Sequence, residues 1–162
     1  VQGVALHLDE FSDDRFSQAS LVHLTMPGRV DLAVPERSRL LLSGTREDPS
    51  AEFLKAADIR QFRLSAELAV LTGTAFAERP LSGFAGVLGL VADLQSAGVN
   101  LVVATLWPAG DQETARFVED FYSELEIQGD VPAALYSARK KRIESGDSAN
   151  FRTWAGFQLF IR

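Results

Sequence analysis

The sequence predicts an α/β domain of three layers, a mainly parallel sheet with helices on both faces. Three observations carry that expectation. Residues 68–71 read Leu-Ala-Val-Leu, a short apolar run of the kind that forms a strand buried on both sides. After a break at Thr72-Gly73-Thr74 the chain resumes as a long apolar segment ending at Gly98, and a run rich in β-branched residues, 99–106, follows at once. Strand, loop, helix and strand make a βαβ unit, and strand-like and helix-like patterns alternate on either side of it. In such units ligands and catalytic groups gather in the loop beyond the strand's carboxyl end, here residues 72–81.

Taken in order, residues 10–20 set Phe11, Phe16 and Ala19 between polar positions, which suits a short helix. Residues 21–26 are strand-like and stop at Pro27-Gly28. Residues 30–36 are irregular, and Leu40-Leu41-Leu42 marks another strand closed by Gly44. Ser50 is placed to cap a helix through Gln61, with Phe53, Leu54, Ala57 and Ile59 on its apolar side. Beyond the βαβ unit, Trp107-Pro108-Ala109-Gly110 ends the second strand, and Asp111 is placed to cap the next helix. On that helix Phe117, Val118, Phe121, Tyr122 and Leu125 recur at three- and four-residue steps, so it lies with one face on the sheet. Gly129 ends it. Pro132 suits the first turn of a further helix running to about Ile143, with Ala134, Leu135 and Ala138 inward. The run Arg139-Lys140-Lys141-Arg142 reads as a solvated helix end, favoured there by the helix dipole. Residues 154–161 read as a last strand.

A chain of 162 residues suits one domain, 1–162, large enough to bury a core unaided. Hydrophobic residues make up 46% and charged residues 23%, as in ordinary globular proteins. The formal charge of -6 argues against nucleic-acid and anionic-membrane partners, and no apolar run is long enough to span a bilayer. With no cysteine, disulfides, thiolate catalysis and thiolate metal sites are excluded, which agrees with a cytoplasmic location. The start at Val1-Gln2-Gly3, without Met, is expected of a fragment of something longer.

Gly83, Gly86 and Gly89 are spaced G-x-x-G-x-x-G and fall inside the expected helix, so close packing explains them better than phosphate binding. There is no phosphate-binding G-x-x-x-x-G-K-[ST] loop and no G-x-S-x-G elbow. His7 and His23 are the whole histidine inventory and show no paired metal-ligand spacing, so neither metal nor cofactor is expected. His23, mid-strand, reads as a core histidine first and as a general base second. Trp107 and Trp154 read as core anchors, and Asp111 as a cap in preference to a catalytic acid.

In order along nearly the whole chain, several short motifs resemble the CHAT domain, a caspase-like peptidase family often joined to tetratricopeptide repeats. Val22 is followed by His23-Leu24-Thr25-Met26-Pro27-Gly28, where the family reads approximately H-x-A-T-H-G. The strand ending Leu71-Thr72-Gly73-Thr74-Ala75-Phe76-Ala77 stands where the family shows L-S-A-C-E-T-G. Ala97-Gly98 closes a helix as in the family, with Gly86 at a family glycine. Thr105-Leu106-Trp107-Pro108-Ala109-Gly110-Asp111 echoes S-L-W-P-V-D-D, Phe121-Tyr122 and Leu125 meet F-Y-x-x-L, and Trp154-Ala155-Gly156-Phe157 meets W-A-x-F.

The resemblance implies a caspase-like fold whose front strands are missing here, and it implies a damaged site. The family's basic histidine falls on Pro27 and its nucleophilic cysteine on Thr74. A cysteine thiol, with a pKa near ~8.5, is partly ionised at neutral pH, whereas a threonine hydroxyl needs a base beside it. Proline supplies no titratable group. General-base catalysis is worth roughly 10²–10⁴ in rate, so either change alone cripples the reaction. The expectation is therefore a pseudopeptidase, not an enzyme, acting as a protein-interaction or regulatory module of a larger protein. A protein or peptide partner, or tetratricopeptide repeats or other domains in the same chain, would supply its context. Its groove would be lined by His23, Thr72, Gly73, Thr74, Trp107 and Asp111. The alternative is a hydrolase with a relocated mechanism, using His23 and the hydroxyl of Thr72 or Thr74. A nucleotide-binding domain is a third option supported by topology alone.

Overall fold

The structure, a computed structural model, describes residues 14–26, 28–29, 39–43, 52–73, 80–107, 109–146 and 151–162. Its main sheet has four strands in the order β1-β5-β6-β7: β1 (Leu21–Thr25), β5 (Leu68–Thr72), β6 (Leu101–Thr105) and β7 (Phe157–Ile161). The first three are parallel and β7 is antiparallel to β6. A second sheet, antiparallel, joins β2 (Gly28–Arg29), β3 (Arg39–Ser43) and β4 (Glu52–Lys55). The helices are α1 (Asp14–Ser17), α2 (Ala56–Ile59), α3 (Pro80–Ala97), α4 (Asp111–Gln128), α5 (Val131–Glu144) and α6 (Phe151–Trp154).

Strand alternation divides the core in two. On one face Ala69 and Leu71 of β5 and Val102 and Ala104 of β6 meet Val87, Leu90, Val91 and Leu94 of α3. On the other, Leu68, Val70 and Val103 meet Phe117 and Phe121 of α4 and Ala134, Leu135 and Ala138 of α5. Every residue of β5 is buried, which is why that strand reads as a continuous apolar run. Helices therefore cover both faces of a mainly parallel sheet, the three-layer arrangement that the sequence predicts. Phe117 and Phe157 stack with ring centroids 4.3 Å apart, and full burial of each ring contributes about 1.5–3 kcal/mol.

Local chemistry sets the helix ends. α4 stops where Gly129 adopts φ 64° and donates its N–H to the Leu125 carbonyl at 2.8 Å, a left-handed position suited to glycine. Asp130 then caps α5, its carboxylate accepting from the Ala133 N–H at 2.8 Å.

Several expectations need correction. Residues 52–55 form a strand, not the first half of a helix, because Phe53 and Leu54 pair antiparallel with Leu41 and Leu40 of β3, a pairing that local pattern does not show. Ser50, the expected cap, lies outside the described residues. The cap of α4 is Gly110, and Asp111 is the first helical residue with no side-chain capping bond. Of the basic run, Lys141 and Arg142 pair with Asp120 of α4, and the Arg139 guanidinium donates to the Phe157 carbonyl. Arg139 and Arg142 thus tie α5 to other elements, while Lys140 and Lys141, with side chains 57% and 56% exposed, keep the solvated character expected of a helix end. Residues 151–154 are helical, so the last strand begins at Phe157. A Cβ on Gly89 would meet nothing within 4 Å, so close packing does not explain that glycine. The side-chain surroundings of Gly83 and Gly86 lie outside the described residues, as do Phe11 and His7.

Candidate functional site

The carboxyl ends of β1 and β5 lie side by side, with Thr25 in register with Thr72 and His23 with Val70. Because residues two apart on a strand share a face, His23, Thr25 and Thr72 all turn to the α4 side, where Val70 is buried. There they meet. His23 Nε2 lies 2.9 Å from Thr72 Oγ1 and 3.1 Å from Thr25 Oγ1, and the two hydroxyls are 2.8 Å apart. On the far side of the ring, His23 Nδ1 lies 3.0 Å from the Tyr122 hydroxyl of α4, with ring centroids 5.7 Å apart at 52°. Tyr122 is held by Phe121, whose side chain is sunk in the core one position earlier.

Gly73 closes the strand end at φ 72°. A Cβ there would stand 3.1 Å from Thr25 Cγ2 and 3.5 Å from the Met26 nitrogen, so backbone conformation and space both call for glycine. The Met26 N–H donates to the Thr72 carbonyl at 3.2 Å. Pro27 and Thr74, the two positions matched to the family's base and nucleophile, lie outside the described residues. Their chain neighbours Met26 and Gly73 adjoin one another at the mouth of the sheet.

Burial lowers the pKa of His23 below its ordinary value of 6.5 and pushes that of Tyr122 up to about 12. Both groups are accordingly neutral at pH 7. A neutral imidazole has one donor and one acceptor nitrogen, and three hydroxyls that both give and take satisfy either tautomer. Among the described residues no carboxylate hydrogen-bonds to His23. That matters chemically, because an imidazole acting as general base becomes an imidazolium, and a carboxylate on its second nitrogen is what stabilises that charge. The hydroxyl of Tyr122 carries no charge to offer. Thr72 is 1% exposed, so its hydroxyl is closed to a substrate carbonyl, while Thr25 is exposed.

Of the residues that the sequence singles out, the structure brings His23, Thr72 and Gly73 together, while Trp107, beyond the carboxyl end of the neighbouring β6, takes its hydrogen bond elsewhere. The Trp107 indole N–H donates to the Arg152 carbonyl of α6, and its ring packs so close to Gly156 that a Cβ there would lie 3.0 Å from Nε1. Asp111 stands exposed at the start of α4. Two members of the cluster, Thr25 and Tyr122, were not singled out by sequence reasoning. Thr25 is readable in hindsight, two residues from His23 on one strand face. Tyr122 is hidden among the apolar positions of an amphipathic helix. Among the described residues no three His, Asp or Glu side chains gather as a metal site. Nor is any described helix long and apolar enough to cross a membrane.

Comparison with known proteins agrees with this frame. The family model described as the CHAT domain matches residues 3–161. The Homo sapiens protein named tetratricopeptide repeat protein 28 is similar to this chain, with 31% identity over 106 residues. That match covers 65% of this chain and 4% of the human protein, so the chain corresponds to a small part of its relative.

Proposed function

The chain belongs to the CHAT domain family, and on that footing we propose that it is a catalytically inactive, caspase-like domain serving as a protein-interaction or regulatory module of a larger protein. One observation carries the reading. His23 has both nitrogens engaged by hydroxyls of its own fold, and behind it stands a neutral tyrosine instead of a carboxylate. A base so placed gains a proton at the cost of a buried, unpaired charge. The sequence adds that Thr74 and Pro27 occupy the positions of the family's cysteine and histidine. Similarity to part of a long protein named for tetratricopeptide repeats supports a module within a larger assembly. The partner is a protein or peptide. The test is incubation of the protein at high concentration with a diverse peptide library: no cleavage is expected, and turnover that disappears in Thr74→Ala overturns the reading.

A second reading, a hydrolase using His23 with Thr72 or Thr74, draws on the 2.9 Å separation between His23 Nε2 and Thr72 Oγ1, within the reach a general base needs. Against it stands the burial of that hydroxyl. Thr72→Val keeps the shape of the side chain and removes the oxygen. Library turnover present in the parent and absent in Thr72→Val and His23→Ala, with both variants folded, establishes this second reading in place of the first.

A further inference from the structure

The last strand of the main sheet has a side on which no further strand lies among the described residues. At one end of β7 the Arg162 N–H donates to the Asn100 carbonyl at 3.0 Å, and at the other the Leu106 N–H donates to the Gly156 carbonyl at 2.9 Å. Bonded and non-bonded pairs alternate along an antiparallel ladder, so residues 156, 158, 160 and 162 exchange bonds with β6. Phe157, Leu159 and Ile161 therefore turn their N–H and C=O groups outward. The Arg139 guanidinium of α5 donates to the Phe157 carbonyl, which checks that parity independently. Since β7 is terminal in the strand order, the outward groups of Leu159 and Ile161 meet no further strand among the described residues. Unpaired groups of this kind template the addition of another extended chain.

Ile161, on the edge itself, is 67% exposed. On α5, Tyr136 and Ile143 are exposed on the face opposite the buried Ala134, Leu135 and Ala138, and Arg139, between those two faces, reaches the Phe157 carbonyl of β7. The opposite flank of α5 is taken by α4, through Lys141 on Asp120 and Gln128 on Ser137. The charge of the edge is opposite to that of the whole chain. Residues 151–162 contain Arg152 and Arg162 and no acidic residue, and Arg139 forms no ion pair among the described residues, in a chain of formal charge -6.

We propose that the outer edge of β7 is a docking site for an extended acidic peptide, which joins the sheet as an added strand beside Leu159 and Ile161. Charge chooses this occupant over a second copy of the chain. Antiparallel pairing of two β7 strands about Leu159 sets Gly156 opposite Arg162 and carries each Arg162 toward the other copy's Arg152, a like-charge arrangement that an acidic peptide reverses. The inference goes beyond the function proposed above and does not depend on whether His23 is catalytic, because it uses a different surface.

The test is a fluorescence-anisotropy titration with a labelled octapeptide of alternating Glu and Val, beside the same peptide with Lys for Glu. Leu159→Pro removes an outward N–H without touching the β6 ladder, and Arg152→Glu/Arg162→Glu reverses charge without touching the backbone. The acidic peptide is expected to bind and the basic one to fail. Binding should be lost in Leu159→Pro and weakened about tenfold or more in the charge-reversed variant. Hydrogen exchange of the Leu159 and Ile161 amides should slow in the complex. Absence of binding at about 1 mM peptide, or binding that survives both variants, overturns the proposal. A dimer in sedimentation equilibrium that Leu159→Pro dissolves overturns the choice of occupant.

Discussion

Replacing Tyr122 by Phe removes one oxygen and leaves the ring, and so isolates the tie between α4 and β1. The ring keeps its packing on Phe121, while His23 Nδ1 loses the hydroxyl that stands 3.0 Å away. Nε2 keeps Thr72 and Thr25, so one half-buried nitrogen is orphaned and the rest of the cluster stands. Leaving such a group unpaired costs about 1–3 kcal/mol. At about 2–4 °C per kcal/mol for a domain of this size, the melting temperature falls by roughly 2–12 °C. Chemical denaturation followed by the fluorescence of Trp107 and Trp154 measures the loss. A double-mutant cycle with His23→Val separates the bond from other consequences, and the coupling energy should reach about 1 kcal/mol. A coupling within roughly 0.3 kcal/mol of zero, or a Tyr122→Phe protein as stable as its parent, would refute the geometry on which the site is built.

Lowering the pH should destabilise the protein through the same histidine. Its folded-state pKa lies below 6.5, so the unfolded chain binds the proton more readily: the stability is fully present above pH 6.5 and is lost as pH falls toward the folded-state value. Urea midpoints across that window should drop more steeply in the parent than in His23→Val, and parallel curves would count against it. Asp120→Asn should cost about 2–4 kcal/mol in denaturant unfolding, since it strips a buried carboxylate from Lys141 and Arg142, whereas Lys141→Ala, at the exposed partner, should cost under about 1 kcal/mol. Gly98→Ala should be worse tolerated than a typical surface change, by about 2 kcal/mol or more, because φ is 123° and the new Cβ would lie 2.3 Å from the Leu64 carbonyl oxygen. Thermal melts of Gly98→Ala and, as a control, Gly89→Ala in open space distinguish the two.

How much of this was legible depended on whether the signal was local. β5 and β6 could be read because burial on both faces forces an unbroken apolar run, and α4 because one apolar stripe at helical spacing admits one interpretation. Residues 52–55 could not, because their conformation is set by pairing with β3, and Phe-Leu between polar residues suits either state. Arg139 and Arg142 read as part of a solvated run because nothing in the sequence says that the Phe157 carbonyl and the Asp120 carboxylate lie against them. The site was legible by halves. His23 and Thr72 stood at strand ends that family motifs mark, but the hydroxyl of Tyr122 gains a meaning only once α4 is laid across β1. A periodicity argument counts that tyrosine as core and stops there.

A parallel sheet offers two separate resources, its carboxyl ends and its edges, and this domain treats them in opposite ways. At the ends of β1 and β5 the polar groups are consumed internally, three hydroxyls around one neutral imidazole, so recognition there gives up fold stability before it gains contacts. At β7 the outward groups of Leu159 and Ile161 are already without a neighbouring strand among the described residues, so a strand that pairs with them displaces none of those. β7 lies three strand steps from β1 and two from β5, which at about 4.8 Å per step puts the two places roughly 10–14 Å apart. Substitutions at that separation with no shared partners add independently. Loss of the histidine cluster should therefore leave acidic-peptide binding intact.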